Sequence, residues 1–259
     1  MPHARTWARW VGLVALGLVA GMLSGLFGVG GGILIVPALT LLLGFDQRVA
    51  AGTSLAAIVP VSIVGVISYA RADAVDWIAA ALLSVAAIVG AQIGSALLDR
   101  LSRRAVRWGF IVFLLVVIAS LFFVVPSRDA EIALTAASIV GLLALGLGAG
   151  VLSGLLGVGG GIVVVPMLIL LFGASDLVAK GTSLVMIIPT AISGTVSNAL
   201  RRNVDVPAAV TIGLAACVTT PLGALTAAVV DPGTANILFA VFLALLAIQL
   251  IVKALREPI

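Results

Sequence analysis

The sequence predicts an all-α polytopic membrane protein made of two inverted-topology repeats of five hydrophobic segments each, with interrupted or re-entrant short helices. Composition predicts the class, because 63% of the 259 residues are hydrophobic and 9% are charged, whereas a soluble domain carries about 25% charged residues. Apolar runs of about 18 residues or more recur along the chain, as in helical membrane proteins. They lack the period-two alternation of a membrane β-barrel. An internal repeat predicts the architecture.

A glycine-rich decapeptide marks this repeat. Gly28–Pro37 reads GVGGGILIVP, and Gly157–Pro166, 129 positions later, reads GVGGGIVVVP. The same shift aligns 21–120 with 150–249 without a gap, and roughly 40 of the aligned positions are identical, far above chance. Because the repeat already includes residue 21, we expect the first apolar run to be a retained membrane helix and not a cleaved signal peptide.

The apolar segments come in order, five in each copy, and short breaks that carry most of the charge separate them. They lie at about 10–27, 33–43, 50–70, 77–98, 108–125, 132–156, 162–173, 181–200, 207–229 and 235–254. The predicted organisation is a tail at 1–9, repeat 1 at 10–125, a linker at 126–131, repeat 2 at 132–254 and a tail at 255–259.

Five crossings are an odd number, so the second copy enters the membrane from the side opposite to the first. The positive-inside rule predicts the orientation. With a cytoplasmic N-terminus, only Arg71, Arg128 and Lys180 fall outside. The basic residues that then fall inside are Arg5, Arg9, Arg48, Arg100, Arg103, Arg104, Arg107, Arg201, Arg202, Lys253 and Arg256. We therefore expect a multi-pass protein of the cell (inner) membrane with both termini in the cytoplasm and an external linker.

The second segment of each copy is too short to span a bilayer. Segments 33–43 and 162–173 give roughly 16 Å of helix each, against about 30 Å for the hydrocarbon core. Each is either a half-helix or one arm of a hairpin that turns at the glycine break, and the sequence leaves both alternatives open.

The glycine breaks are the predicted substrate-binding site. Non-helical backbone at membrane depth is unfavourable unless it lines a cavity or is buried in protein, and glycine lets a ligand approach the backbone. A helix that starts after the break directs free N–H groups and its positive dipole end at a small anion. Paired breaks in corresponding halves indicate a midplane transport site. The alternative is that the glycines only allow close helix packing. The predicted residues are Gly28, Gly30, Gly31, Gly32, Gly157, Gly159, Gly160 and Gly161.

Four hydroxyl residues in the repeated GTSL motif are further candidates: Thr53, Ser54, Thr182 and Ser183. They either cap a helix or donate to the same anion, and the sequence favours neither. Lys180 is predicted near the outer mouth, where it attracts an anion; the alternative is a snorkelling surface lysine.

Several kinds of chemistry have no candidate in the sequence. The acidic residues all lie in predicted loops or at segment ends, so we expect no carboxylate buried in the middle of the membrane and find no clear candidate for an Asp/Glu proton relay. The single cysteine, Cys217, offers neither a disulfide nor a zinc site. No catalytic residue, metal or cofactor is predicted, and the net charge of +4 comes from loop arginines and needs no nucleic-acid partner.

The duplicated SG(L)-(F/L)-GVGGG-x3-P followed by GTSL resembles the TauE/SafE family of sulfite exporters over essentially the whole chain. The resemblance implies export or exchange of sulfur-containing anions such as sulfite, sulfoacetate, thiosulfate or sulfate. It points to the glycine and hydroxyl residues named above. We therefore expect a secondary transporter that works by alternating access, with an anion and the lipid bilayer as partners. An anion channel with the same site, a transporter of another small anion or metabolite, and a homodimer remain open.

Overall fold

The computed structural model describes residues 7–98, 103–121 and 132–256, and these residues form ten α-helices without a strand. The predicted all-helical class is confirmed. The helices are α1 (Trp7–Phe27), α2 (Gly32–Leu41), α3 (Gln47–Ala70), α4 (Trp77–Leu98), α5 (Arg103–Leu121), α6 (Ala136–Leu156), α7 (Gly161–Phe172), α8 (Asp176–Leu200), α9 (Val206–Val229) and α10 (Pro232–Arg256).

Two central helices start earlier than the apolar segments predict. Helix α3 begins at Gln47, where the Asp46 carboxylate accepts the Arg48 N–H at 2.9 Å. Helix α8 begins at Asp176 and is capped by the Ser175 hydroxyl. Polar residues that cap a helix resemble a loop in the sequence, so the segments predicted at 50–70 and 181–200 omitted the first turn of each helix. The predicted linker at 126–131 lies outside the described residues.

Seven of the described helices are long and apolar enough to cross a membrane, namely α1, α3, α4, α6, α8, α9 and α10. Helices α2 and α7 are short, as predicted. Large apolar side chains cover the outer surface; Leu200 is 82% exposed and Val229 is 85% exposed. Such surface is unfavourable in water and fits the acyl chains of a bilayer. The described chain is therefore a multi-pass membrane protein.

Each short helix runs back along the helix before it. In the first copy, Gly31 at the start of α2 packs on Ala20, and Leu43 beyond its end packs on Gly12 near the start of α1. In the second copy, Gly160 packs on Ala149 and Phe172 on Gly141 in the same way. Of the two alternatives left open by the sequence, the structure has the hairpin that turns at the glycine break.

Helices α3 and α8 lie side by side in opposite directions at the centre of the molecule. Gly52 at the start of α3 packs on Asn198 at the end of α8, and Gly181 near the start of α8 packs on Tyr69 at the end of α3. At about 1.5 Å per residue the two helices are roughly 36 and 38 Å long. Their midpoints are therefore the natural place for a site at the middle of the membrane.

Glycines outside the breaks allow close packing of the outer helices. Gly21 and Gly25 of α1 lie against backbone of α9, and Gly150 of α6 lies against Ala87 of α4. An added Cβ would clash with a carbonyl oxygen at each position, so only glycine allows this approach. These contacts fix the hairpins beside the central helix pair.

Candidate functional site

The backbone of each break adopts a conformation that favours glycine. Gly28, Gly30 and Gly31 have φ angles of 69°, 76° and 76°. In the second copy, the three equivalent glycines at 157, 159 and 160 have φ angles of 71°, 86° and 78°. L-residues with a side chain pay an energetic cost in this region. The turn itself therefore requires glycine at these three positions of each break, in addition to any close packing.

The two breaks contact each other. A Cβ atom placed on Gly32 would lie 2.9 Å from the Val158 carbonyl oxygen of the other break. In the reciprocal contact, a Cβ on Gly161 would lie 3.1 Å from the Val29 Cα atom. All residues of both breaks are buried. The starts of α2 and α7 are thus brought together from the two halves of the chain.

Each of these helix starts has N–H groups without an acceptor. Gly31 and Gly160 are the N-caps, and neither helix has a side-chain cap. The first N–H groups of α2, at Gly32 and Ile33, donate to no backbone or side-chain acceptor among the described residues. At the start of α7, the N–H groups of Gly161 and Ile162 likewise donate to no acceptor among the described residues. Buried N–H groups are almost always paired, so these four require a water molecule or a ligand.

Two buried hydroxyls on the central helices α3 and α8 also lack a partner. Ser54 and Ser183 are equivalent residues of the two copies, and both are 0% exposed. Their Oγ atoms have no hydrogen-bond partner. The Ser183 Oγ atom lies beside the start of α7, 2.9 Å from the position that a Cβ on Gly161 would take. Unsatisfied buried hydroxyls are unfavourable, and their presence twice, at equivalent positions, indicates a ligand site.

The threonines of the GTSL motif have a different role. Thr53 Oγ1 accepts the Asp205 N–H at 2.9 Å, and Thr182 Oγ1 accepts the Asp76 N–H at 3.0 Å. Each bond joins one copy to the other: the Thr53 bond reaches the residue before α9, and the Thr182 bond reaches the residue before α4. The capping alternative was wrong for Thr53 and Thr182, because they lie inside α3 and α8, whose caps are Asp46 and Ser175. Their oxygen atoms are engaged in holding the two copies together.

Two isoleucines pack against both breaks. Ile58 of α3 and Ile187 of α8 are equivalent residues, each near the middle of its helix. A Cβ atom on Gly30 would meet both side chains, at 3.1 and 3.2 Å, and Gly159 packs on the same pair. The sequence analysis missed these residues, since an isoleucine within an apolar helix carries no signal. Their position leaves the two breaks occluded.

Lys180 lies in a different environment from the predicted one. It is neither at an exposed mouth nor on the surface: it is 5% exposed, inside α8, and its Nζ atom lies 3.2 Å from Asp176 Oδ2. Asp176 is 2% exposed, so a carboxylate is buried at the start of α8, at the end of a membrane helix and away from its middle. The reason is the early start of α8, which places two apparent loop residues in the first two turns of a packed helix. The Lys180 backbone packs on Gly28, as Ala51 packs on Gly157.

A small polar cleft lies between α4, α6 and α8. The Gln92 Nε2 atom donates to Ser193 Oγ at 2.8 Å, and Asn198 and Ser197 line the same cleft. In the first copy, the residue equivalent to Asn198 is Tyr69, whose hydroxyl donates to the Gly25 carbonyl at 2.6 Å. The two copies thus differ at this position: Asn198 lines a polar cleft, whereas the Tyr69 hydroxyl is bonded to the backbone.

Comparison with known proteins gives matches to membrane transporters. A family model described as sulfite exporter TauE/SafE matches residues 1–121 and 142–258. The chain is 30% identical over 217 residues to the probable membrane transporter protein YunE of Bacillus subtilis (strain 168), covering 74% of this chain and 79% of that protein. It is 29% identical over 163 residues to the probable membrane transporter protein MJ0441 of Methanocaldococcus jannaschii, covering 60% of each. No solved structure matches the chain with significance.

Proposed function

The chain belongs to the sulfite exporter TauE/SafE family of membrane transporters, and on that premise we propose that it is a secondary transporter of small sulfur-containing anions, such as sulfite or sulfoacetate. The observation that carries the proposal is the pair of facing helix N-termini. Each has buried N–H groups without an acceptor and an unpartnered buried serine in the same repeat. The substrate then binds between Gly28–Gly32 and Gly157–Gly161.

The chemistry of this site suits a small oxyanion. The N-termini of α2 and α7 each present a positive dipole end and free N–H donors. Ser54 and Ser183 add hydroxyl donors. Sulfite and sulfonate groups carry three oxygen acceptors on one sulfur atom, so several donors converge on one group. Lys180 is buried and engaged with Asp176. The backbone and the two serines therefore supply most of the direct contacts.

The transport mechanism we propose is alternating access between two inverted repeats, 10–125 and 132–254. Opposite directions of the equivalent helices α3 and α8 support the inversion, and the hairpins supply paired broken helices at its centre. Ile58 and Ile187 pack on both breaks, so we assign the structure to an occluded state. Movement of one hairpin relative to the central pair then exposes the site to one side at a time.

Orientation in the cell (inner) membrane, with cytoplasmic termini, is part of the same proposal. Basic residues gather at one end of the described molecule: the Arg9 guanidinium lies 4.7 Å from the Phe45 ring centre and 3.9 Å from an Asp205 carboxylate oxygen. Arg48 comes shortly after Phe45 in the sequence, and Arg201 and Arg202 come shortly before Asp205. The positive-inside rule then assigns this end to the cytoplasm.

Counterflow in proteoliposomes tests the proposed function. Vesicles loaded with unlabelled sulfite and diluted into a trace of labelled sulfite should accumulate label transiently, and the initial rate should saturate with sulfite concentration. Sulfoacetate, thiosulfate and sulfate inside the vesicles identify which anions exchange. Linear flux without counterflow indicates the anion channel instead, and absence of protein-dependent flux with all four anions contradicts the proposal.

A further inference from the structure

The polar cleft between α4, α6 and α8 lies among helices that are long and apolar enough to cross a membrane. Polar groups are expensive within the hydrocarbon, where they face the protein interior or a water-filled cavity. Among the described residues that line the cleft, none is charged and six have polar side chains. These six are Gln92, Ser153, Thr190, Ser193, Ser197 and Asn198. A polar cluster of this size requires an explanation beyond helix packing.

The cleft extends from the end of α8 to about its middle. At about 1.5 Å per residue, Asn198 and Thr190 are roughly 12 Å apart along the helix. Asn198 is half-buried, whereas Thr190 is 1% exposed and Ser153, on α6, is 2% exposed. The lining thus becomes more buried toward the level at which the breaks meet.

The inner end of the cleft adjoins the second break. The Gly157 N–H donates to the Ser153 carbonyl at 2.8 Å, and Gly157 is the first residue of that break. Leu55, which also lines the cleft, directly follows Ser54 of the candidate site. The lining residues therefore lead to the proposed anion site from one side.

The outer end of the cleft lies at the basic end of the molecule. The Asn198 carbonyl accepts the Asn203 N–H at 2.9 Å, and a Cβ atom on Gly52 would lie 2.9 Å from the Asn198 Cβ atom. Arg201 and Arg202 come between the two asparagines in the sequence. An anion that approaches this end is therefore attracted by basic residues.

The side chains of the cleft suit water and a small anion. Amides and hydroxyls supply N–H and O–H donors, and the Gln92 amide donates to the Ser193 hydroxyl at 2.8 Å. Gln92 is exposed, and an amide that faces acyl chains is unfavourable. The volume of about 10 Å³ holds about one water molecule. An anion therefore passes only after the helices around the cleft separate.

The equivalent place in the first copy is filled. Tyr69 stands at the position of Asn198, is 2% exposed, and donates its hydroxyl to the Gly25 carbonyl at 2.6 Å. Gly25 is the residue equivalent to Gly154, which lines the cleft in the second copy. The tyrosine side chain therefore lies across the space that is a cleft in the second copy.

Three further polar positions of the cleft are apolar in the first copy. The residues equivalent to Gln92, Thr190 and Ser193 are Pro221, Val61 and Val64. Tyr69 lies at the opposite end of α3 from Gly52, and so at the opposite end of the molecule from the basic residues. The two copies thus provide a polar approach to the breaks from the basic end and a filled one from the other end.

We propose that the cleft is the passage through which the anion moves between the breaks and the basic end, and that Tyr69 closes the equivalent passage at the opposite end. Hydroxyl and amide donors along the cleft replace part of the hydration of the anion. At the opposite end, the anion passes only when the Tyr69 side chain moves away from Gly25. This inference rests on the proposed transport function.

Cysteine accessibility tests the passage without any transport. The background is Cys217→Ala, which removes the single cysteine of the chain. Arg48→Cys marks the basic end, and Ala72→Cys, in the turn after α3, marks the opposite end. A membrane-impermeant methanethiosulfonate reagent should label Ser193→Cys from the same side as Arg48→Cys. Val64→Cys, at the equivalent position of the first copy, should stay unlabelled from either side. Failure to label Ser193→Cys from the basic side overturns the passage.

Tyr69→Asn tests the closure, because it gives the first copy the residue of the second. Val64→Cys should then become labelled from the side of Ala72→Cys. Tyr69→Phe is the matched control, since it keeps the ring and should leave Val64→Cys unlabelled. Tyr69→Leu, shorter and apolar, replaces Tyr69→Asn if that variant does not fold. Labelling of Val64→Cys with Tyr69 intact, or none in the folded variant, overturns the closure.

Flux measurements show whether the anion uses the passage. Sulfoacetate suits this assay, because sulfite itself reacts with methanethiosulfonate reagents. A bulky label on Ser193→Cys should abolish sulfoacetate counterflow, whereas the same treatment of the Cys217→Ala background should leave counterflow unchanged. Full counterflow in completely labelled Ser193→Cys protein shows that the anion takes another route.

The outcomes separate the two proposals. Counterflow in the wild type together with an unlabelled Ser193→Cys overturns the passage and leaves the transport function standing. No flux of any anion in the wild type contradicts the transport function instead, and the labelling pattern then still decides whether the cleft admits water from the basic end.

Discussion

Replacement of Gly160 by leucine should abolish anion flux and leave membrane insertion intact. The residue is the N-cap of α7 and has a φ angle of 78°, where a side chain costs about 1–2 kcal/mol. A Cβ atom would also lie 2.9 Å from the Ala149 carbonyl oxygen. The start of α7 must shift, so the free N–H groups no longer point at the substrate. Gly31→Leu, at the equivalent position beside Ala20, should have the same effect.

Gly44→Leu is the matched control for these variants. Gly44 has a φ angle of 66°, and an added Cβ meets nothing within 4 Å. It therefore carries the same backbone penalty without any effect on the breaks. Initial rates of labelled sulfite uptake, normalised to inserted protein, should fall below detection for Gly160→Leu and Gly31→Leu and stay near wild type for Gly44→Leu. Normal flux in all three variants shows that the breaks are not the site.

Replacement of Ser54 and Ser183 by alanine should weaken anion binding without weakening the fold. Both hydroxyls are buried without a protein partner, so their removal breaks no internal hydrogen bond and lets the protein keep or gain thermal stability. A hydrogen bond to a charged group contributes about 1.5–3 kcal/mol, and every 1.4 kcal/mol is about tenfold in affinity. The Kd for the transported anion should therefore rise at least about tenfold for each serine removed.

Thr53→Val and Thr182→Val form the matched control, because these neighbouring hydroxyls hold the backbone of the opposite copy. Loss of each bond should cost about 0.5–1.5 kcal/mol of stability and leave the anion Kd unchanged. Isothermal titration and thermal melts of the purified variants measure both quantities. Weaker binding in the threonine variants with unchanged binding in the serine variants reverses the assignment of the two hydroxyls.

The repeat and its breaks could be predicted from the sequence because they are local signals. Three consecutive glycines in apolar sequence, repeated at one spacing, predict a break at Gly30–Gly32 and its partner, and the short segments after them predict short helices. The turn back along α1 could not be chosen over a half-helix, because the choice depends on packing between Gly31 and Ala20.

Long-range contacts distinguish residues whose roles could not be told apart in the sequence. Thr53 and Ser54 are adjacent hydroxyls, and only the fold shows that Thr53 bonds to the Asp205 N–H while Ser54 remains unpartnered. Asp176 and Lys180 resembled loop charges because the capped start of a helix is polar. Ile58 is indistinguishable from its apolar neighbours until the breaks are placed against it.

Direct location of a bound anion tests the central claim, that the two breaks share one substrate. Selenite is a heavier analogue of sulfite, and its selenium atom gives an anomalous-scattering peak in crystals of the protein. The predicted result is one peak between the starts of α2 and α7, within hydrogen-bond reach of the N–H groups of Gly32 and Gly161 and of the Ser54 and Ser183 hydroxyls. A peak that lies elsewhere, with none between the breaks, contradicts the claim.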